Sequence, residues 1–148
     1  MRDKTGVGMM RSGRDESDWD VLATAGEEFL IEHARLGRCT SYTELNAALV
    51  RRTGLRSFDF ESQAERAAMG HLLGLIVRER NRPSTGMMIS ALVLYIDGND
   101  AGPGFYKLAQ ELSELPPGTL SPALKETFWV KQVNALYTYY GKRNNDLT

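Results

Sequence analysis

The sequence predicts a mostly helical α+β domain. Three observations carry that expectation. Five stretches repeat their apolar residues with the 3.6-residue period of a helix face. One run, Met87 to Ile96, is apolar at nearly every position. Clusters of Gly, Pro, Asn and Asp separate the stretches.

The elements follow in order. Residues 1–17 combine Gly, Ser and mixed charge with little apolar content, which predicts a disordered leader. Residues 18–148 then form a single globular domain. The first helix is expected over 19–36, capped by Ser17 or Asp18, with Gly37 just past its end. Leu22, Ala25, Gly26, Phe29, Leu30 and His33 share one face of it.

Ser41-Tyr42-Thr43-Glu44 fits a capping box, in which hydroxyl and carboxylate each close a free amide. The second helix follows, with Tyr42, Leu45, Ala48 and Leu49 inward and Gly54 at its end. The third and longest helix is expected over 60–80. Its buried side is read as Ala64, Ala67, Ala68, His71, Leu72, Leu75 and Ile76, and Arg82-Pro83 stops it.

The run 87–96 reads as a strand buried on both faces. Its partner is expected in residues 38–42, in 82–88 as a hairpin arm, or in another subunit. Asp97-Gly98-Asn99-Asp100 is a turn signal. Phe105, Leu108, Ala109 and Leu112 mark a fourth helix, broken at Pro116-Pro117-Gly118. Ser121-Pro122 opens the fifth, whose face is Leu124, Phe128, Trp129, Val133, Leu136, Tyr137 and Tyr140, and Gly141 ends it. The three leading helices and single β element read as a winged-helix-like core, followed by two more helices.

Composition narrows the function classes. The 148 residues suit one domain, and 42% apolar with 25% charged is near the globular norm. A formal charge of -1 gives no global attraction to nucleic acid or anionic membrane, so such contact needs a local patch. The single cysteine, Cys39, excludes an intrachain disulfide. No apolar run reaches membrane-spanning length and the first residues carry no signal-peptide core, so a cytoplasmic protein without membrane contact is expected.

Chemistry-bearing residues are few. His33 and His71 lie on apolar helix faces and Cys39 precedes a helix start, in no metal or nucleophile spacing. Glu61, Asp97 and Asp100 are the suggestive acids, without metal-site spacing. The Gly102-Pro103-Gly104 loop lacks either phosphate-binding glycine pattern, and Asp97 and Asp100 would repel an anion. No catalytic residue, metal or cofactor is assigned, and a non-enzymatic protein is expected.

Charge placement is more informative. Arg35, Arg38, Arg51, Arg52 and Arg56 crowd one window with Glu44, and Arg78, Arg80 and Arg82 crowd another with Glu79. Guanidinium groups suit bidentate contact with phosphate. In a helix-turn-helix the 60–80 helix would enter the major groove. The candidate nucleic-acid contacts are therefore Arg51, Arg52, Arg56, Arg66, Arg78, Arg80 and Arg82, with DNA as partner. The alternative is a protein–protein interaction module or small homodimeric adaptor or inhibitor. Its candidate interface is the aromatic last helix, through Trp129, Tyr137, Tyr139 and Tyr140.

Residues 38–45 (RCTSYTEL), then Ala68-Met69-Gly70 on a later helix, then a strand and a Gly-rich loop resemble the winged-helix DNA-binding domain of alkylguanine-DNA alkyltransferases. The resemblance covers residues 37–112 and implies a winged helix that binds DNA. It implies no alkyl transfer. Where that family carries a reactive Pro-Cys-His-Arg motif, this chain has RPSTGMM over 82–88, without Cys or His. Ser90-Ala91-Leu92-Val93, Gly102 to Ala109 and Phe128-Trp129 are also similar to a pattern recurring in bacterial proteins, which implies no function.

Overall fold

The computed structural model describes residues 13–95 and 100–146, with side chains described as far as Gly141. The protein is mostly helical, with a short parallel pair of strands. In chain order the elements are α1 (Glu16–Arg35), β1 (Thr40–Ser41), α2 (Tyr42–Thr53) and α3 (Gln63–Leu75). A π-helical segment (Ile76–Asn81), α4 (Arg82–Thr85), a 3-10 turn (Ile89–Leu92) and β2 (Val93–Leu94) follow. The chain ends in α5 (Pro103–Glu111) and α6 (Pro122–Asp146).

The helix starts obey local chemistry. Asp15 caps α1 by accepting from the Asp18 amide at 2.9 Å, earlier than Ser17 or Asp18 would have. Ser41 caps α2 through the Glu44 amide at 3.1 Å. The Glu44 carboxylate closes no amide; it accepts from the Thr40 hydroxyl at 2.8 Å, so the box is only half made. Gly54 takes φ 73° at the end of α2, where a side chain would be strained.

The expected leader over 1–17 overlaps ordered structure at its end. Residues 1–12 lie outside the described residues, but Arg14 is 2% exposed and α1 begins at Glu16. Arg14 is held by an acid, a carbonyl and an aromatic face that sequence periodicity does not report.

The third helix also departs from expectation. Ser62 caps it through the Glu65 amide, so it starts at Gln63. It does not stop at Arg82-Pro83. A proline lacks an amide hydrogen and crowds the carbonyl four residues back. Widening over Ile76–Asn81 into a π-helix carries the chain past Pro83 to Gly86, at φ 75°. Its buried side is rotated: Met69, Leu73 and Val77 join Ala68, Leu72 and Ile76 in the core, while Ala64 and Ala67 are exposed.

The ten-residue strand is the largest correction. Met88 to Val93 is buried, but only Val93 and Leu94 are extended in a ladder. Buried backbone groups must find partners. Here three side chains on helices supply them. Asn81 Oδ1 accepts from the Ile89 amide at 2.7 Å, and Gln132 Oε1 accepts from the Met88 amide at 2.9 Å. Trp129 Nε1 donates to the Ala91 carbonyl at 2.8 Å. The segment is freed from needing strand neighbours and winds into a 3-10 turn.

Of the three partners considered for the strand, residues 38–42 supply it. Thr40 pairs with Val93 and Ser41 with Leu94 in parallel, and Leu94 forms an antiparallel bridge with Ala101. The leading elements run helix, strand, helix, helix, with the second strand after the third helix and parallel to the first. The connection from α2 to α3 runs over 54–62, longer than the roughly three to four residues of a helix-turn-helix. At the C-terminal end, α6 continues through Gly141, where the sequence suggested a stop.

One core holds these elements together, built on Leu22, Leu30, Leu49, Leu72, Ile76 and Leu136. Each such side chain contributes roughly 1.5–3 kcal/mol by leaving water. Among the described residues no helix is long and apolar enough to cross a membrane.

Candidate binding groove

A groove of about 390 Å³ lies between α3, with its π-helical extension, and α5. Ligand pockets commonly fall in the range of roughly 300–1,000 Å³. Its origin lies in the rotation of α3. Because Ala68, Leu72 and Ile76 turn inward, the neighbouring stripe of Gly70 and Gly74 faces the opening. Residues four apart on a helix stand one above the other. Gly104 of α5 also lines the groove. A Cβ at any of the three would meet no atom within 4 Å. The glycines therefore border open space and are not required by a neighbour's close approach.

Phe105, Leu73 and Leu108 give apolar wall, and Ser90 and Tyr42 also line the groove. Ser90, on the 3-10 turn, is 4% exposed, and its Oγ has no hydrogen-bond partner among the described residues. Tyr42 reaches the groove from the start of α2, its ring edge-on to Phe60 at 6.3 Å and tilted against Tyr95 at 5.6 Å. Burial and the neighbouring Tyr95 push its hydroxyl up to about 12. It is a neutral hydrogen-bonding group throughout the physiological range.

The rim carries both signs of charge. Arg78 of the π-helical segment donates to the Glu111 carboxylate of α5, linking the two walls. Glu79 and Lys107 flank them. π-helical turns recur at functional sites because they redirect side chains within a helix. Here the wider turn sets Arg78 and Glu79 at the groove.

The candidate arginines do not gather beside α3 as a free basic face. Arg80 donates to Glu27 of α1 at 2.8 Å, Arg82 to Glu114 at 2.7 Å, and Arg52 grips both oxygens of Glu32 at 2.8 and 3.1 Å. Arg56 donates to Glu65 at 3.2 Å, and Arg66 to the Phe60 carbonyl at 2.6 Å. Arg78 is engaged by Glu111 as described. Arg51 alone of the seven carries no side-chain bond among the described residues. Five of the seven guanidinium groups are paired with carboxylates.

The aromatic residues of α6 turn inward. Tyr140 is buried and accepts from Asn81 Nδ2 at 3.4 Å, with Tyr139 edge-on to it at 4.9 Å. Tyr137 lies 3.4 Å from Cys39 Sγ, and the Trp129 indole is tied to Ala91. They pack against the core, and among the described residues the large apolar side chains of α6 that are exposed are Leu124 and Val130.

The remaining candidates are similarly occupied. His33 Nδ1 sits 3.0 Å from the Phe29 carbonyl, and His71 is edge-on to Trp19 at 4.8 Å. Asp100 accepts from the Tyr106 hydroxyl, while Asp97 lies outside the described residues. Glu61 is exposed, and among the described residues no three His, Cys, Asp or Glu side chains gather as a metal site.

The groove itself was missed at the sequence level. Its signal was the pair Gly70 and Gly74, two poor helix formers four apart inside a long helix, where each costs about 1 kcal/mol relative to alanine. No protein-family model, curated protein or solved structure matches the chain.

Proposed function

We propose that this chain is a non-enzymatic binding module that holds a partner in the groove between α3 and α5. This is the protein-interaction alternative moved from the aromatic last helix to a different surface. The single observation that carries it is the groove of about 390 Å³ walled by Gly70, Gly74 and Gly104, where an added Cβ would meet no atom within 4 Å. Gly70, Gly74 and Gly104 support the same reading, since they keep the groove open at the expense of helix propensity.

The test is a fragment screen by NMR on the ¹⁵N-labelled chain and on Gly74→Leu. The cocktail contains aromatic, amide, carboxylate and ammonium probes. A Cβ at 74 meets no atom within 4 Å, so leucine is expected to enter the groove, and circular dichroism checks that the variant folds. The reading expects hits that shift the amides of Gly70, Gly74, Ser90 and Gly104 in the wild type and lose affinity in the variant. Hits that cluster elsewhere, or bind the variant equally, would overturn it.

A further inference from the structure

Resting on that reading, we infer that His71 is the switchable charge of the groove: protonated, it makes the groove cationic and selects an anionic occupant, and neutral, it does not. His71 stands on α3 beside Gly70 and lines the groove with its ring half-buried. Imidazole is the side chain whose ordinary change of charge falls between about pH 5 and 8. His71 is the one histidine among the described lining residues.

The charges around it balance. Arg78 donates to Glu111 across the groove, and Glu79 and Lys107 flank them, two cations against two carboxylates. From α2, Tyr42 faces the groove as a neutral hydroxyl, pushed up to about 12 by burial and by Tyr95. From α1, the uncharged Trp19 ring meets His71. Asp18 and Asp20 flank Trp19 in the chain, and the Arg14 guanidinium 5.9 Å from that ring is engaged by Glu65. A proton on His71 therefore takes the lining from balance to one net positive charge.

The surroundings accept that charge. The Trp19 and His71 rings lie 4.8 Å apart at 89°. That is within the roughly 6 Å over which an indole attracts a cation. Leu73, Phe105 and Leu108 wall the same groove, and a half-buried charge beside apolar wall is screened less than one in open water. An anion entering the groove meets this charge before any free guanidinium, since Arg78 already holds Glu111.

The probes are benzenesulfonate, anionic on both sides of the imidazole range, and its neutral analogue benzenesulfonamide. Each is titrated into the full ¹⁵N-labelled chain at about pH 5.5 and about pH 8. Dissociation constants are read from the amides of Gly70, Gly74 and Gly104. The sulfonate is expected to bind about 2- to 5-fold tighter at the lower pH, the range of a partly exposed ion pair, and the sulfonamide equally at both. By linkage, saturating sulfonate should move the His71 ring titration to higher pH, while the His33 ring, off the groove, does not respond. His71→Gln should keep sulfonamide binding and lose the pH dependence of the sulfonate. If that variant does not fold, the ring titration in the wild type decides. Equal sulfonate affinity at both pH values, no sulfonate binding at millimolar concentration, a pH dependence that survives His71→Gln, or an unmoved His71 titration would overturn the switch. In each of those cases the groove reading stands on its fragment hits. Sulfonamide binding that Gly74→Leu does not weaken would instead overturn the groove reading itself.

Discussion

Arg14 grips Glu65 with both terminal nitrogens, each 3.1 Å from a carboxylate oxygen, while its guanidinium carbon lies 3.9 Å from the centre of the Phe58 ring. Arg14 is 2% exposed and Glu65 13%. Removing one partner of such a pair strands the other charge out of water, at a cost of about 3–5 kcal/mol. Glu65→Ala is expected to lose about 3 kcal/mol, and Arg14→Met less, because a thioether can still cover Phe58. Urea unfolding monitored by the Trp19 region measures both.

The same pair sets acid stability. Hydrogen bonds from Arg14, then the Asp59 amide and the Arg14 and Arg56 charges, hold the Glu65 carboxyl below the ordinary value of 4.5 against its partial burial. Glu32 is lowered by its bond to Arg52. A carboxyl depressed in the folded state binds its proton more readily when unfolded. Its stabilisation is therefore complete above about pH 4.5 and is lost as pH falls through the depressed folded value. Unfolding free energy should be flat from pH 7 to 5 and fall below that, and Glu65→Gln should make the acid limb shallower.

Asn81 is expected to be the most sensitive polar residue in the core. It is 1% exposed, accepts from the Ile89 amide, and donates to Thr85 Oγ1 at 3.1 Å and to Tyr140. Alanine there leaves a buried amide without a partner, at about 1–3 kcal/mol, and opens space beside Tyr140. A loss of about 3 kcal/mol by chemical denaturation is expected for Asn81→Ala. Thr85→Ala should lose less, since it removes only one arm of the cluster.

Two helical glycines should respond oppositely to alanine. Gly74 faces open space, so Gly74→Ala gains helix propensity, up to about 1 kcal/mol. At Gly26 an added Cβ would lie 2.9 Å from Ile76 Cδ1, and Ile76 is fully buried. Gly26→Ala is expected to be neutral or destabilising as Ile76 shifts. Ser90→Ala should gain about 1 kcal/mol by deleting an orphaned hydroxyl. Thermal scans of the three variants provide the check.

Tyrosine ionisation offers a probe of packing. Burial raises Tyr42 to about 12. Burial first, then the Asp100 hydrogen bond, raises Tyr106; burial and the Cys39 contact raise Tyr137. These three of the six tyrosines should ionise late in a spectrophotometric titration of the folded chain and near pH 10 in denaturant. Because the unfolded form releases those protons first, stability should fall as pH rises above about 10.

How much of this was legible in the sequence depended on range. The faces of α1, α2 and α5 followed from spacing, because each packs one uninterrupted stripe: Leu22, Phe29 and Leu30, then Leu45, Ala48 and Leu49, then Phe105, Leu108 and Ala109. The span 87–96 misled because apolar runs report burial and not backbone pairing. The Ile89 amide is met by Asn81, and the Met88 amide and Ala91 carbonyl by Gln132 and Trp129, which lie 44 and 38 positions away. The arginine groups were visible as clusters, but their acids were not: Glu27 lies 53 positions from Arg80, and Glu114 lies 32 from Arg82. Local counting saw cations in excess where the fold pairs them. On α3, Ala64 and Ala67 matched a helical period as well as Met69 and Leu73 did, and only packing chose between them. That choice turned Gly70 and Gly74 to the groove.

The most direct measurement places groove and arginine variants side by side. The affinity of the groove-binding fragments is measured for the wild type, Gly74→Leu, and the double variant Arg51→Ala/Arg66→Ala. Loss of at least about tenfold in Gly74→Leu, with the arginine variant unchanged, is the result expected of a module working through the α3–α5 groove. Full binding by Gly74→Leu together with loss in the arginine variant would contradict it.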